Sequence, residues 1–196
     1  MKKVLNVGGN SKAIALPPQY TGWDHVLLDI DPTGNPDVVC DARELNTLPA
    51  SQYDSVYCSH NLEHYHHHHA RKVLEGFIHV LKADGFVFIR VPDMGAVMQT
   101  VVEKNLDIDD VLYQSAAGPI LVRDVMYGWG KQIEESGCDF FAHKTGFTQK
   151  SLISILQTAG FPYIFTGKKG PLELFAFTFK NQPSEETMKQ LGISSS

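Results

Sequence analysis

The residue types best suited to chemistry lie together in residues 59–64, which read Ser-His-Asn-Leu-Glu-His. His60, Glu63 and His64 have the spacing of the inverted zinc-peptidase pattern, in which two histidines bind a metal and the glutamate acts as a base. That pattern requires a long helix and a third ligand. Here the segment directly follows the apolar run 53–58, and no glutamate downstream has a clear claim to be the third ligand. The sequence therefore favours the rim of a ligand pocket over a zinc centre.

Four consecutive histidines occupy positions 66–69. On a helix, successive side chains point about 100° apart, so only pairs such as His64 and His68 share one face. We interpret the run as the exposed, polar start of a helix, with which adventitious zinc or nickel binding is compatible. The sequence predicts no metal site.

Several short apolar runs in the first sixty residues are followed by glycine, acidic or other polar residues. These residues are Gly8, Gly9 and Asn10 after run 4–7, Asp29 and Asp31 at the end of run 25–30, Asp41 after run 37–40, and Ser59 after run 53–58. Ligands of an open α/β sheet bind beyond the carboxyl ends of its strands. These polar residues therefore predict a binding pocket at one edge of such a sheet.

The length of 196 residues and the hydrophobic content of 43% predict a single domain, placed at residues 1–180, and hydrophobic periodicity locates its elements. Strands are predicted at 4–7, 25–30, 37–40, 53–58, 86–91, 161–166 and 172–179, and helices at 66–82, before Asp84-Gly85, and from Thr148 to Gly160. Pro17-Pro18 leave room only for a short helix between the first two strands. The third strand is expected to be short, because only about six residues separate it from the second, fewer than a parallel crossover usually takes.

Residues 94–146 form a different region, with helical stretches predicted at 94–104 and 120–135. Its aromatic residues have a spacing typical of a core; they are Tyr113, Tyr127, Trp129, Phe140 and Phe141. Residues 181–196 are polar and end in three serines, which predicts a flexible tail.

Composition narrows the function classes. The net charge is -5 and the basic residues form no continuous stripe, which argues against nucleic acid as the main partner. No run approaches the ~20 apolar residues needed to cross a bilayer. The three cysteines lack metal-type spacing. We expect a cytoplasmic protein with a small-molecule partner.

Taken together, these segments resemble the class I S-adenosylmethionine-dependent methyltransferases, most closely the small predicted methyltransferases of bacterial surface-polysaccharide gene clusters. The resemblance covers residues 4–92 and 147–180. It is carried by the sequences at 5–9, 22–23, 28–31, 41–42, 57–64 and 80–85. It implies a Rossmann-like α/β fold, with a mostly parallel seven-stranded sheet, an antiparallel last strand and a helical insertion, residues 94–146, after the fifth strand.

The resemblance also implies S-adenosylmethionine as the cofactor. The residues that would hold it are Asn6, Gly8, Gly9, Asn10, Asp29, Ile30, Asp31, Asp41, Ala42, Ser59 and His60. Glycines at 8 and 9 would let the backbone pass close to the methionyl part, where a β-carbon would clash. Asp29, or alternatively Asp31, would accept hydrogen bonds from the ribose hydroxyls. Ile30 would pack against adenine, and Asp41 would accept from its exocyclic amine.

The sequence departs from the family pattern in two places. Asn6 stands where most such enzymes carry an acid that holds the cofactor's ammonium, and Asn10 and Lys12 replace further glycines of the loop. These departures keep a second hypothesis open, in which a methyltransferase-like module binds the cofactor without catalysis.

The reaction implied is methyl transfer to an oxygen or nitrogen of a small acceptor, with a sugar or glycoconjugate precursor suggested by the resemblance. An oxygen nucleophile would benefit from a base, for which imidazole is well tuned. His64, His60 and His143 are the candidates, in that order. Because the sulfonium is already a good leaving group, the chemistry does not require a metal. A zinc hydrolase using His60, Glu63 and His64 is the less favoured alternative.

Overall fold

A computed structural model describes residues 1–116 and 118–193. The strands are β1 (Lys3–Val7), β2 (Asp24–Asp29), β3 (Val38–Val39), β4 (Tyr53–Ser59), β5 (Leu81–Pro92), β6 (Val111–Ser115), β7 (Gly118–Leu121), β8 (Tyr163–Lys168) and β9 (Glu173–Phe179). The helices are α1 (His67–Val80), α2 (Met94–Glu103), α3 (Val122–Tyr127), α4 (Gly130–Ser136), α5 (Gln149–Ala159) and α6 (Glu185–Gln190).

Seven strands form one sheet in the order β3-β2-β1-β4-β5-β9-β8. The pairings among β1 to β5 are parallel, whereas β9 runs antiparallel to both β5 and β8. The prediction of a mostly parallel sheet whose last strand is antiparallel is confirmed. β3 has only two residues, as its short connection to β2 predicted.

One face of the sheet is covered by α1 and α5. The inward residues of α1 recur at three- and four-residue steps; they are Ala70, Val73, Leu74, Phe77 and Val80. They join Val56, Val87 and Leu156 in the largest buried cluster. The helix ends at Val80 rather than at Asp84-Gly85, which lie in the first part of β5. There a β-carbon on Gly85 would lie 2.8 Å from the carbonyl oxygen of Asp54, so the glycine serves close strand packing.

The opposite face carries aromatic side chains, because alternate residues of each strand point to opposite sides. Tyr57, Phe88 and Phe177 are buried there. Two segments cover this face of the sheet: residues 16–23, which contain a short 3-10 turn at Pro18–Tyr20, and the segment after β9. That segment differs from the predicted flexible tail: it forms α6, and Leu191 and Ile193 pack against the aromatic cluster. Residues 194–196 lie outside the described part.

Residues 94–146 follow β5, as predicted, and contain α2, α3 and α4. They also contain an antiparallel hairpin of β6 and β7, which the sequence pattern did not predict. Their own small core consists of Val97, Leu112, Val122 and Val125. The prediction that the aromatic residues belong to the core is wrong for four of them: Tyr113, Tyr127, Trp129 and Phe140 are all exposed. No helix in the described ranges is long and apolar enough to span a bilayer.

Candidate active site

Two cavities open at the carboxyl ends of the parallel strands and share His60. The first, of about 370 Å³, is lined by residues that follow β1 to β4 and by part of the insertion. The second, of about 510 Å³, lies between the insertion and the segment before β9. A small molecule held in one cavity would therefore lie beside a molecule held in the other.

Asp29 ends β2 and lines the first cavity. The backbone N–H of Asn10 donates to Oδ2 over 2.9 Å, and the N–H of Asp31 donates to Oδ1 over 3.0 Å. Each oxygen thus keeps a free lone pair while the carboxylate is fixed in orientation. Asp31 accepts from the N–H of Thr33, and this hydrogen bond lowers the pKa of Asp31.

The glycine turn after β1 is packed against two asparagines. Gly8 has φ +69°, and a β-carbon there would lie 2.0 Å from Nδ2 of Asn61. A β-carbon on Gly9 would lie 2.1 Å from Nδ2 of Asn6. A side chain at either position would therefore force an asparagine side chain to move. Gly8 also lines the first cavity.

Two predicted ligands have partners within the protein. Asn6 is buried, and its Nδ2 donates to Nε2 of His25 over 3.2 Å. Both oxygens of Asp41 accept from the guanidinium of Arg43 at 2.5 to 3.0 Å. Burial alone would raise the pKa of Asp41, but the hydrogen bonds from Arg43 lower it. Asp41 is thus an ionised, paired carboxylate at the cavity wall.

The structure brings most of the predicted cofactor residues together. The first cavity is lined by Gly8, Asn10, Asp29, Ile30, Asp31, Asp41 and His60, but not by Asn6, Gly9, Ala42 or Ser59. Asn61, Tyr65 and Phe140 line it without having been predicted. Asn61 lies inside the 59–64 segment, and its Oδ1 has no hydrogen-bond partner among the described residues. Its place in that segment could have identified Asn61 as a lining residue. The sequence around Phe140 contains no comparable signal.

His60 lies in a network of charged side chains. Its φ of +49° turns the chain sharply after β4, and Nε2 lies 2.9 Å from Oε2 of Glu173. Arg90 donates to both oxygens of Glu173 over 2.9 and 2.7 Å. Burial would lower the pKa of His60, but Glu173 and Glu63 raise it to about 9. A ring protonated at neutral pH donates hydrogen bonds, which argues against His60 as a base.

Glu63, His64 and His143 form a second cluster beside this network. One ligand atom from each lies within 4.8 Å of the others. Glu63 is 1% exposed, and neither oxygen has a hydrogen-bond partner among the described residues, although Nδ1 of His60 lies 3.5 Å from Oε1. Burial would raise the pKa of Glu63, but the surrounding histidines lower it. Glu63 is therefore a buried carboxylate that is surrounded by imidazoles but receives no hydrogen bond among the described residues.

The insertion delivers His143 to this cluster. The backbone N–H groups of Lys144 and Thr145 donate to the carbonyl oxygen of Glu63 over 2.8 and 3.2 Å. Nδ1 of His143 donates to the carbonyl oxygen of Val125 over 2.9 Å, which leaves Nε2 as the acceptor. Burial lowers the pKa of His143. His64 lines the first cavity and His143 the second, so the candidate bases lie on different sides.

Comparisons with known proteins agree with this architecture. Residues 5–89 match the family model described as a methyltransferase domain. A search of curated proteins found no match to the sequence.

Among solved structures, a SAM-dependent methyltransferase from Archaeoglobus fulgidus is similar at a TM-score of 0.57 and 16% identity, over 90% of this chain and 85% of that one. A SAM-dependent methyltransferase from Methanosarcina mazei is similar at 0.54 and 14%, over 90% and 91%. The Burkholderia thailandensis 1,6-didemethyltoxoflavin-N1-methyltransferase, solved with 1,6-didemethyltoxoflavin and S-adenosylhomocysteine, is similar at 0.52 and 18%, over 92% and 72%. The chain therefore has the fold of the S-adenosylmethionine-dependent methyltransferases, and its residues 5–89 carry the sequence pattern of a methyltransferase domain.

Proposed function

We propose that the protein transfers the methyl group of S-adenosylmethionine to an oxygen or nitrogen of a small acceptor. The observation that carries this proposal is the pair of adjoining cavities that share His60. The cofactor would occupy the first cavity and the acceptor the second, so that the methyl group lies near their junction.

The first cavity suits the cofactor's nucleoside part. Asp29 keeps two free lone pairs and would accept hydrogen bonds from both ribose hydroxyls, while Ile30 would pack against adenine. Arg43 pairs with Asp41, so the exocyclic amine of adenine would have to share the Asp41 carboxylate with the Arg43 guanidinium. The unpartnered Oδ1 of Asn61 is a candidate acceptor for the cofactor's ammonium group.

The second cavity suits a small acceptor with an apolar or ring-shaped body. Tyr113 and Trp129 from the insertion and Leu172 from the opposite side contribute apolar surface, and Lys169 and Asp124 contribute charge. Aromatic rings beside polar groups would suit a sugar or a heteroaromatic ring equally well. We therefore retain a sugar or glycoconjugate precursor as the proposed class, together with heteroaromatic acceptors.

Methyl transfer by direct displacement would gain mainly from alignment of the two reactants. Effective molarity alone supplies ~7 to 11 kcal/mol when two reactants are held in line. A positioned base adds ~10²- to 10⁴-fold for an oxygen nucleophile. Because the charged network around His60 argues against that residue as the base, His64 and His143 are the better candidates for this role.

Calorimetry with S-adenosylhomocysteine, followed by transfer assays with methyl-labelled S-adenosylmethionine, tests the proposal. The acceptor panel would contain free sugars, sugar nucleotides, phenols and heteroaromatic amines. Labelled product supports the proposal. Binding without transfer to any acceptor would favour the non-catalytic module, and no binding by the folded protein would refute the cofactor assignment.

A further inference from the structure

We infer that Glu63, His64 and His143 bind a divalent transition-metal ion, with zinc as the ion to test. One ligand atom from each residue already lies within 4.8 Å of the others. Zinc–ligand bonds are ~2.0 to 2.2 Å long, which places two ligands of one ion roughly 3 to 4 Å apart. Small side-chain rotations would therefore close the site.

The state of Glu63 is an independent observation that points to a bound cation. Its side chain is 1% exposed, and both oxygens lack a hydrogen-bond donor among the described residues. Burying a carboxylate is costly unless it is hydrogen-bonded, paired or coordinated to a metal. The contact with His60 is long, at 3.5 Å, and the other nitrogen of that ring is held by Glu173. A metal ion would supply the missing coordination.

His143 has one ring nitrogen held by the backbone and one left for a ligand. Its Nδ1–H donates to the carbonyl oxygen of Val125 over 2.9 Å, which fixes the tautomer and leaves the lone pair of Nε2 free. A backbone carbonyl on the second ring nitrogen is a common outer-shell contact of metal-binding histidines.

Both ring nitrogens of His64 lie beside backbone carbonyl oxygens. Nδ1 lies 3.2 Å from the carbonyl oxygen of Ala142, and Nε2 lies 3.1 Å from that of His60. To bind an ion, the ring must turn one nitrogen away from its carbonyl oxygen, because the lone pair of that nitrogen then goes to the metal.

The donor set and its surroundings indicate the kind of metal. Two imidazoles and one carboxylate suit zinc and related transition metals, whereas calcium and magnesium prefer oxygen ligands. Three protein ligands leave a position open for water or another ligand. Because His64 lines the first cavity and His143 the second, an ion here would lie between them. In that state both histidines are ligands rather than bases.

A metal ion bound here would contradict the prediction, made from the sequence, that the chain has no metal site. The zinc-peptidase pattern would use both histidines of the 59–64 segment, but His60 is bound to Glu173. The third ligand is instead His143, a histidine of the insertion that lies about eighty residues after the segment.

Zinc binding by the full chain tests the inference directly. Because residues 66–69 are four further histidines, all measurements compare the natural chain with a background variant in which these four are replaced by glutamine. After chelator treatment and dialysis, zinc content and calorimetry with zinc chloride should show one equivalent bound in the background variant. Glu63→Gln and His143→Gln added to that background should each weaken binding by more than the ~10- to 100-fold that loss of an outer-shell partner costs. Glu75→Gln, at an exposed position on α1, is the matched control and should bind as the background does.

Two further measurements keep the test decisive if a variant folds poorly. Cobalt should give a visible d–d absorption in the background variant that zinc displaces, and zinc should raise its unfolding temperature. Zinc that binds equally well in folded Glu63→Gln, or that binds only when residues 66–69 are present, would overturn the inference. None of these readouts requires methyl transfer.

Discussion

Replacement of Asp29 by alanine is expected to weaken S-adenosylhomocysteine binding by about 100-fold or more. The carboxylate has about four lone-pair positions, and the N–H groups of Asn10 and Asp31 occupy two of them at 2.9 and 3.0 Å. Two positions remain for the two ribose hydroxyls. Hydrogen bonds to a charged group contribute ~1.5 to 3 kcal/mol each, and ~1.4 kcal/mol corresponds to tenfold in affinity.

Calorimetry on wild type and variants measures the loss. Asp29→Asn keeps one acceptor oxygen and should fall between wild type and Asp29→Ala. Asp31→Ala is the matched control, because that side chain accepts from Thr33 within its own turn and should affect affinity much less. Thermal unfolding must show that the variants remain folded. Wild-type affinity in folded Asp29→Ala would remove Asp29 from the site, and a larger loss in Asp31→Ala would transfer the ribose contact to Asp31.

Three further predictions concern stability and motion. The pKa of Glu173 is lowered from 4.5 to about 2, so its stabilisation is present above pH 4.5 and is lost as the pH falls towards 2. Glu173→Gln should therefore destabilise the protein at pH 7, by at most ~3 kcal/mol because solvent screens the pair, and should flatten that acid dependence in urea unfolding; an unchanged acid profile would contradict this prediction. The Gly8→Ala variant should be less stable than the Gly22→Ala variant. Both glycines have a positive φ, but only at Gly8 would a β-carbon lie 2.0 Å from a side-chain amide. Equal losses of stability in urea unfolding would show that the backbone conformation alone matters. Hydrogen exchange in residues 94–146 should slow when S-adenosylhomocysteine binds, as for a mobile cover; slow, ligand-independent exchange would instead indicate a rigid packing layer.

The order of strands and helices could be predicted because it depends on local patterns. Continuous apolar runs mark the parallel strands, and the three- and four-residue steps of Val73, Leu74 and Phe77 mark α1. The short β3 followed from the length of its connection. The hairpin of β6 and β7 could not be predicted in this way, because its strands are short and partly exposed.

The same distinction applies to the candidate site. The sequence placed Asp29 and His60 at strand ends, and both line the first cavity. It could not show that Glu173, 113 residues further along, would contact His60, or that His143 would reach Glu63. Those pairs are set by the packing of β9 beside β5 and by the hydrogen bonds that join the end of the insertion to Glu63. Local sequence thus determined which side chains lie at the carboxyl edge of the sheet. Only the tertiary structure decided which of them become neighbours, because contacts between distant residues depend on how whole elements pack.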